Sequence, residues 1–236
     1  MPSYQNYLDA EDEILQESQR EKKPYKMNIL GKKFIVHPNV FSPKYFRGTP
    51  IFSEHLPITV GDEFLEIGPG TGVTSIIALY RGAKRVTAID INPSAVENMK
   101  ANIALHHLED RAEVRYGDVY SSLKPDERFD IIFWNTPFGL VPEGTPINDL
   151  QKSIFDPGYQ ATERFFIEAK DHLKNNGKLY IGFSSTLGRL DIIKRFSDKA
   201  GFMLEKIFET DSEEIYPVKF EIFSAKRNGK SSNLTH

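Results

Sequence analysis

Three glycines stand at alternate positions where an apolar segment is expected to turn from a strand into a helix. They are Gly68, Gly70 and Gly72. Glycine has no Cβ, so this turn can bend tightly and let a ligand approach the main chain. Glu66 precedes the turn, and its carboxylate suits a cationic ligand better than a pyrophosphate. A dinucleotide-binding turn would carry a further glycine where this chain has Val73.

Two more acids follow the next two predicted strands. Asp90 ends a strand 22 residues after Gly68, where a carboxylate can accept both hydroxyls of a ribose. The alternative is a strand-end carboxylate that caps the next helix. Asp118 follows the third strand in the sequence G-D-V, where its side chain can contact an adenine amino group. These strand ends predict a site for a nucleoside-like cation.

The sequence Asn135-Thr136-Pro137-Phe138 follows the fourth predicted strand, at the sheet edge where ligands of such folds bind. A planar amide or amine nitrogen is a poor nucleophile because its lone pair is delocalised. The Asn135 side-chain oxygen and the Thr136 carbonyl can accept its hydrogens and favour a pyramidal nitrogen. Pro137 keeps Thr136 extended, and Phe138 offers a ring face for stacking. The alternative is a proline-stiffened loop without a catalytic role.

Taken together, the motifs E-x-G-x-G-x-G, D-I-N-P and G-D-V resemble the cofactor motifs of class I S-adenosylmethionine-dependent methyltransferases. The resemblance covers about residues 60–225 and implies a seven-stranded sheet whose last strand is inserted antiparallel. It implies S-adenosyl-L-methionine as the cofactor. The cofactor contacts that it assigns are Glu66, Gly68, Gly70, Gly72, Asp90, Ile91, Asp118, Val119 and Asn135.

The N-T-P-F sequence is similar to the N-P-P-[YF] motif of HemK-type glutamine methyltransferases and of small-domain methyltransferases that modify RNA bases. Residues 40–49 and 158–166 share that resemblance. It assigns the catalytic role to Asn135, Thr136, Pro137 and Phe138. Thr136 replaces the family's second proline, so we expect a less rigid loop with an added hydroxyl. This departure affects the prediction of the substrate more than the prediction of methyl transfer.

Beyond residue 60, short apolar runs alternate with helical patterns, which is typical of an α/β fold. We predict a Rossmann-like, doubly wound sheet of seven mostly parallel strands with a short N-terminal helix and hairpin. The connection 139–157 has few apolar anchors and is expected to act as a lid or binding loop. Predicted strands are 64–67, 85–90, 112–116, 129–134, 178–183, 202–208 and 218–225; predicted helices are 74–80, 93–105, 160–173 and 187–200.

Three parts are expected along the chain. Residues 1–50 form an extension, with a helix over 4–20 and a hairpin over 27–36, that can take part in substrate recognition. Residues 51–225 form the methyltransferase domain, and 226–236 a disordered tail.

The chain has 236 residues and no cysteine, which excludes disulfide scaffolds and thiol nucleophiles. His106 and His107 lack further ligands at metal spacing, so no metal is expected. The N-terminus is acidic and no apolar run reaches the length of a membrane span, so we predict a cytoplasmic protein.

Net charge is only −3, but residues 20–47 carry +7. This basic segment is either a phosphate-facing patch or a surface that balances its acidic neighbours. The predicted function is S-adenosylmethionine-dependent N-methylation of a planar nitrogen in a protein or RNA, with the basic segment as a possible contact. The alternatives are a small-molecule methyltransferase and a cofactor-binding partner subunit that has lost catalysis.

Overall fold

A computed structural model describes residues 3–213 and 217–228, and it opens with a helix and a hairpin. Helix α1 is Tyr4–Ser18, strands β1 and β2 are Tyr25–Ile29 and Lys32–Val36, and helix α2 is Gly48–His55. The two strands pair antiparallel around a turn that contains Gly31. The predicted N-terminal helix and hairpin are confirmed, and the hairpin starts two residues earlier than predicted.

The rest of the chain alternates strands and helices. In chain order these are β3 (Glu63–Ile67), α3 (Val73–Tyr80), β4 (Arg85–Asp90), α4 (Pro93–Leu105), β5 (Ala112–Tyr116), β6 (Phe129–Asn135), β7 (Gly139–Val141), β8 (Phe155–Pro157), α5 (Gln160–His172), β9 (Leu173–Phe183), α6 (Leu190–Lys199), β10 (Phe202–Glu213) and β11 (Pro217–Arg227).

Seven of these strands form the central sheet, in the order β10-β11-β9-β6-β3-β4-β5. Strands β5, β4, β3, β6 and β9 pair in parallel, and β11 is antiparallel to both of its neighbours. The predicted Rossmann-like sheet with an inserted antiparallel strand is confirmed. Strand β3 lies between β4 and β6, and the helices that follow β3 and β6 pack on opposite faces of the sheet. A crevice therefore opens beyond the carboxyl ends of these strands.

Apolar side chains cover both faces of the sheet. One face packs against α2, α3 and α4 through residues such as Phe52, Ile76 and Met99. The other packs against α5 and α6 through Phe165 and Ile193. Burial on both faces explains why the parallel strands read as continuous apolar runs in the sequence.

Two buried amides on α4 hold the N-terminal hairpin against the domain. The Asn102 side chain accepts from the Ile35 amide at 2.7 Å and donates to the carbonyls of Ile35 and Thr71. Asn98 accepts from the His37 amide at 2.8 Å and donates to the Ile35 carbonyl. Since Thr71 belongs to the glycine turn, these bonds fix the hairpin relative to that turn.

The connection 139–157 is more ordered than the sequence indicates. It contains β7 and β8, which pair in parallel, and a short 3-10 helix at Gln151–Ser153. Ile154 and Phe155 are buried against α1. The expectation of few apolar anchors was therefore wrong, because the partners of these residues lie far away in the chain.

The predicted boundary between residues 50 and 51 falls within helix α2, and the division into domains stays a prediction. Strand β11 includes residues 226 and 227, whereas the tail prediction for 229–236 lies outside the described residues. In the described part of the chain, no helix has both the length and the apolar character needed to cross a membrane.

Candidate active site

The glycine turn between β3 and α3 needs residues without a Cβ. Gly68, Gly70 and Gly72 all have positive φ, at 60°, 56° and 80°. A Cβ on Gly72 would lie 2.7 Å from the Met99 side chain, and one on Gly68 would lie 3.0 Å from the Trp134 indole nitrogen. The turn is therefore pressed onto α4 and β6, and its main chain faces the crevice.

Asp90, at the end of β4, is tied to this turn. Its Oδ2 accepts the Gly70 amide at 3.0 Å, and its Oδ1 accepts the Asn92 amide at 2.8 Å. The cap of helix α4 is Asn92, whose side chain accepts from the Ser94 amide at 2.9 Å. The carboxylate of Asp90 thus holds the turn and keeps lone pairs for a ligand, since each oxygen can accept more than one hydrogen bond.

Glu66 lies at the floor of the crevice and is 2% exposed. Its carboxyl accepts a hydrogen bond from the Ser75 hydroxyl of α3. Burial raises the pKa of Glu66 to about 7 and that of Asp90 to about 6. Hydrogen bonds to the two carboxylates lower both pKa values, but burial has the larger effect. Two buried acids with raised pKa values beside a crevice are typical of a ligand site.

The crevice is a cleft of about 540 Å³, within the range of roughly 300–1,000 Å³ common for small-molecule sites. The glycine turn, the ends of β4 and β6, Phe41 and residues of the 139–157 connection line it. Its charged lining is mostly acidic: Glu66, Asp90, Asp118, Asp149 and Asp156 against Lys152 and Arg164. This excess of carboxylates favours a cationic ligand.

The raised pKa values predict how the stability of the ligand-free chain depends on pH. Between about pH 4 and pH 7 the folded state binds more protons at Glu66 and Asp90 than the unfolded state. Their contribution to stability therefore falls as pH rises through this window. We expect Glu66→Gln to raise the Tm more at pH 8 than at pH 5.5, measured by thermal denaturation. An equal change in Tm at both pH values would contradict the raised pKa.

Asp118 lines the cleft after β5 and forms an ion pair that the sequence did not predict. Arg164 of α5 donates to its Oδ2 at 2.7 Å, with both side chains about two-fifths exposed. The Asp118 amide is held by the Ser121 hydroxyl at 2.8 Å. Val119 is buried next to it and has a positive φ, and Ile91 also lines the cleft. Arg164 lies within residues 158–166, which share the family resemblance, but no local sequence pattern indicates Asp118 as its partner.

Asn135 ends β6 at the far side of the cleft. Its Oδ1 is buried and has no hydrogen-bond partner. A buried acceptor without a donor destabilises the folded state. The unpaired Oδ1 therefore points to a ligand group that donates a hydrogen bond to it. Asn135 lines both the cleft and a second, smaller cavity, as do Phe41, Ser153 and Phe155, so ligands in the two cavities would meet beside it.

Thr136 is 2% exposed and is bound to strand β9. Its amide and its hydroxyl both donate to the Gly182 carbonyl, at 3.2 and 3.1 Å. A proline could make neither bond. The added hydroxyl and the amide of Thr136 thus hold the loop to β9, and the expectation of a less rigid loop stays a prediction.

The last two residues of the motif differ in their surroundings. Pro137 is buried and lines the cleft. Phe138 is half-buried among three rings, with centroids 5.6 Å from Phe183 and 6.4 Å from Phe52 and Phe220. Its carbonyl accepts from the Tyr159 hydroxyl, so α5 also holds the loop. Phe138 lines the smaller cavity, where it can contact a ligand.

The smaller cavity has a volume of about 30 Å³ and lies between the Asn135–Phe138 loop and the N-terminal part of the chain. Leu8 and Glu11 of α1, together with Phe41 and Phe46, line its outer side. The sequence predicted that the extension 1–50 can take part in substrate recognition, but no pattern in it indicated Leu8 or Glu11. Among the described residues, no group of three or more His, Asp or Glu side chains could hold a metal ion.

Known proteins resemble this chain over much of its length. The profile of the methyltransferase small domain matches residues 31–207. A provisionally named protein N5-glutamine methyltransferase of Methanocaldococcus jannaschii is 30% identical over 182 residues, covering 76% of this chain and 89% of that protein. The release factor glutamine methyltransferase of Koribacter versatilis is 30% identical over 176 residues, covering 66% of this chain and 60% of that protein.

Solved structures share the fold at low identity. The 16S rRNA N2 G1207 methyltransferase of T. thermophilus, in complex with AdoMet and guanosine, matches with a TM-score of 0.63 and 18% identity, covering 87% of this chain and 50% of that one. The ribosomal protein L11 methylase of Lactobacillus delbrueckii matches with a TM-score of 0.58 and 16% identity, covering 82% and 84%. These matches concern the fold alone.

Proposed function

The chain belongs to the methyltransferase small domain family, and from that membership we propose that it is an S-adenosylmethionine-dependent N-methyltransferase whose acceptor is a planar nitrogen. The observation that carries the proposal is the buried Oδ1 of Asn135, which lacks a donor where the two cavities meet.

The residues of the larger cleft fit S-adenosylmethionine. The glycine turn leaves its main chain open, and the acidic lining suits a ligand that carries an ammonium and a sulfonium. Asp90 would accept the ribose hydroxyls and Asp118 the adenine amino group, with Glu66, Ile91 and Val119 beside them. When bound, this cofactor supplies an electrophilic methyl group.

The loop Asn135–Phe138 would prepare the acceptor. The Asn135 Oδ1 accepts one hydrogen of the acceptor nitrogen, and the Thr136 carbonyl accepts the other. These two bonds draw the nitrogen towards a pyramidal form, which frees its lone pair for attack. The hydrogen bonds from Thr136 to Gly182 and from Tyr159 to the Phe138 carbonyl would hold both acceptors in place. The chain's contribution is thus mainly orientation rather than strong base catalysis.

For the acceptor, a protein carboxamide is the first candidate. Both relatives described above carry the name of glutamine methyltransferases, and the cavity beside Asn135 is narrow and mostly apolar. RNA is the second candidate, because the basic segment 20–47 could contact phosphates. Within that segment, Lys44 pairs with Glu21, whereas Lys22, Lys23 and Lys26 are exposed.

A transfer assay tests the proposal. Purified protein would be incubated with S-adenosylmethionine labelled in the methyl group and with separate protein, RNA and metabolite fractions of a cell lysate. We expect label in the protein fraction, removed by protease and not by ribonuclease. Label confined to RNA would select the second candidate, whereas label in metabolites alone would identify a small-molecule methyltransferase. A failure to bind S-adenosylhomocysteine in calorimetry would contradict the proposal as a whole.

The ion pair between Arg164 and Asp118 makes a separate prediction about the adenine end of the cleft. Arg164→Met should weaken S-adenosylhomocysteine binding by up to roughly five-fold, as expected for an exposed ion pair. It should also reduce the preference for S-adenosylhomocysteine over its inosine analogue, because Asp118 loses its fixed orientation. Lys152→Met is the matched control, since Lys152 lines the same cleft and pairs with Asp149 instead. An unchanged preference in Arg164→Met would refute this role.

A further inference from the structure

We propose that helix α1, through Leu8, forms the wall of the acceptor cavity that limits the methyl acceptor to a group of about the size of a carboxamide. This inference rests on the proposed function and deepens it, since it names the element that selects the acceptor. Helix α1 lies outside residues 31–207, which the family profile covers.

Helix α1 is fixed against the active site at several points. A capping box between Ser3 and Asn6 defines its start. The Tyr4 hydroxyl accepts the Leu140 amide at 2.7 Å and lies in hydrogen-bonding contact with Tyr159. Tyr159 in turn donates to the Phe138 carbonyl. The first turn of the helix is thus connected to the backbone of the catalytic loop.

The rest of the helix is held to the 139–157 connection. Asp12 accepts from the Gln151 side chain at 3.1 Å. Leu8 and Leu15 are 6% and 2% exposed, and they pack with Phe46 and Phe155 in one apolar cluster. A helix with both ends anchored in this way makes a defined wall rather than a loose cover.

Leu8 reaches into the cavity itself. It lines the cavity together with Asn135 and Phe138. Its Cδ2 lies 3.0 Å from the position that a Cβ would take on Gly139, so the absence of a side chain at Gly139 is what lets Leu8 come so close. Three buried side-chain atoms of the described residues lack a hydrogen-bond partner, and of these only the Asn135 Oδ1 belongs to a residue that lines this cavity.

The size of the cavity decides between the two acceptor classes. Its volume of about 30 Å³ is far below the range of roughly 300–1,000 Å³ that is common for small-molecule sites. A carboxamide group suits so narrow a cavity, whereas a purine ring system is several times larger than a carboxamide. A base could enter only if Leu8 and the wall of α1 moved away.

The wall and the cofactor cleft are separable. The residues lining the larger cleft include Phe41 and the 144–157 part of the connection, but none from α1. Changes at Leu8 should therefore alter the acceptor cavity and leave the cofactor cleft intact. This separation distinguishes a role in acceptor selection from a general loss of structure.

The test uses saturation-transfer NMR to measure the binding of two small probes to the full chain. The chain is first saturated with S-adenosylhomocysteine, so that neither probe can bind in the cofactor cleft. The probes are propionamide and adenine. Wild type should give a signal with propionamide and none with adenine. Leu8→Ala should gain the adenine signal, and Leu8→Trp should lose the propionamide signal. Leu15→Ala is the matched control, because Leu15 is buried on the same helix but does not line the cavity.

All four proteins should bind S-adenosylhomocysteine with similar affinity, which shows that the fold is intact. The inference is overturned if wild type binds adenine as well as propionamide or binds neither, or if Leu8→Trp keeps the propionamide signal. A wild-type protein that fails to bind S-adenosylhomocysteine overturns the proposed function instead, so the two failures are distinguishable.

Discussion

Replacing Asn135 by alanine should lower the rate of methyl transfer by roughly a hundred-fold to a thousand-fold, the loss typical for removal of one preorganised hydrogen-bonding group that stabilises a transition state. The Oδ1 of Asn135 is buried and lacks a donor in the folded chain, so it is available to the acceptor nitrogen without breaking another bond. Its removal should leave cofactor affinity nearly unchanged, because in the proposed site the glycine turn and Asp90 would provide most of the cofactor contacts.

The effect is measured as single-turnover transfer from labelled S-adenosylmethionine, alongside calorimetry with S-adenosylhomocysteine. Thr136→Ser is the matched control on the same loop, because serine can keep the hydroxyl bond to the Gly182 carbonyl. We expect that variant to retain most of the activity. If Asn135→Ala turned over at a near-normal rate, a planar nitrogen could not be the acceptor.

Replacing Asp90 by alanine should weaken the binding of S-adenosylmethionine by on the order of a hundred-fold or more, since two hydrogen bonds to a charged group contribute roughly 1.5–3 kcal/mol each. Asp90 also accepts the amides of Gly70 and Asn92. In the proposed site the substitution would remove the ribose acceptor and loosen the glycine turn. We therefore expect a larger loss of affinity than for replacement of another acid of the cleft.

Calorimetric titration with S-adenosylmethionine and S-adenosylhomocysteine measures this loss. Asp118→Ala serves for comparison, because Asp118 is 43% exposed and bound to Arg164, so its removal should cost less. Asp90→Asn should fall between wild type and Asp90→Ala, since an amide oxygen still accepts one hydrogen bond. An affinity of Asp90→Ala close to that of wild type would show that the ribose binds elsewhere.

Several elements follow from the sequence alone. Strand β4 and helix α4 lie within the predicted bounds 85–90 and 93–105. The glycine turn and the acids at the strand ends stand where the pattern indicated. These features are local: alternation of apolar runs, glycines at a turn and Pro93 at the first turn of a helix depend on neighbouring residues.

Other parts of the site depend on pairs that are distant in the chain. Arg164 meets Asp118 across 46 positions, Thr136 meets Gly182 across another 46, and Asn102 meets Ile35 across 67. Each residue type is ordinary by itself, so no short pattern indicates its partner. The order of the strands and the packing of α4 and α5 on opposite faces of the sheet bring these residues together.

Helix α1 is the clearest case. Its weak amphipathic pattern predicts a helix, and the helix is present, but nothing in residues 4–18 indicates that Leu8 lies beside Asn135. Thr136 is similar, because no local pattern indicates that its hydroxyl donates to the Gly182 carbonyl. The sequence by itself determined the fold class, the glycine turn and the acids at the strand ends, since these depend on local periodicity and turn chemistry. The tertiary structure alone decided the shape of the acceptor cavity, since its walls come from segments that only packing brings into contact.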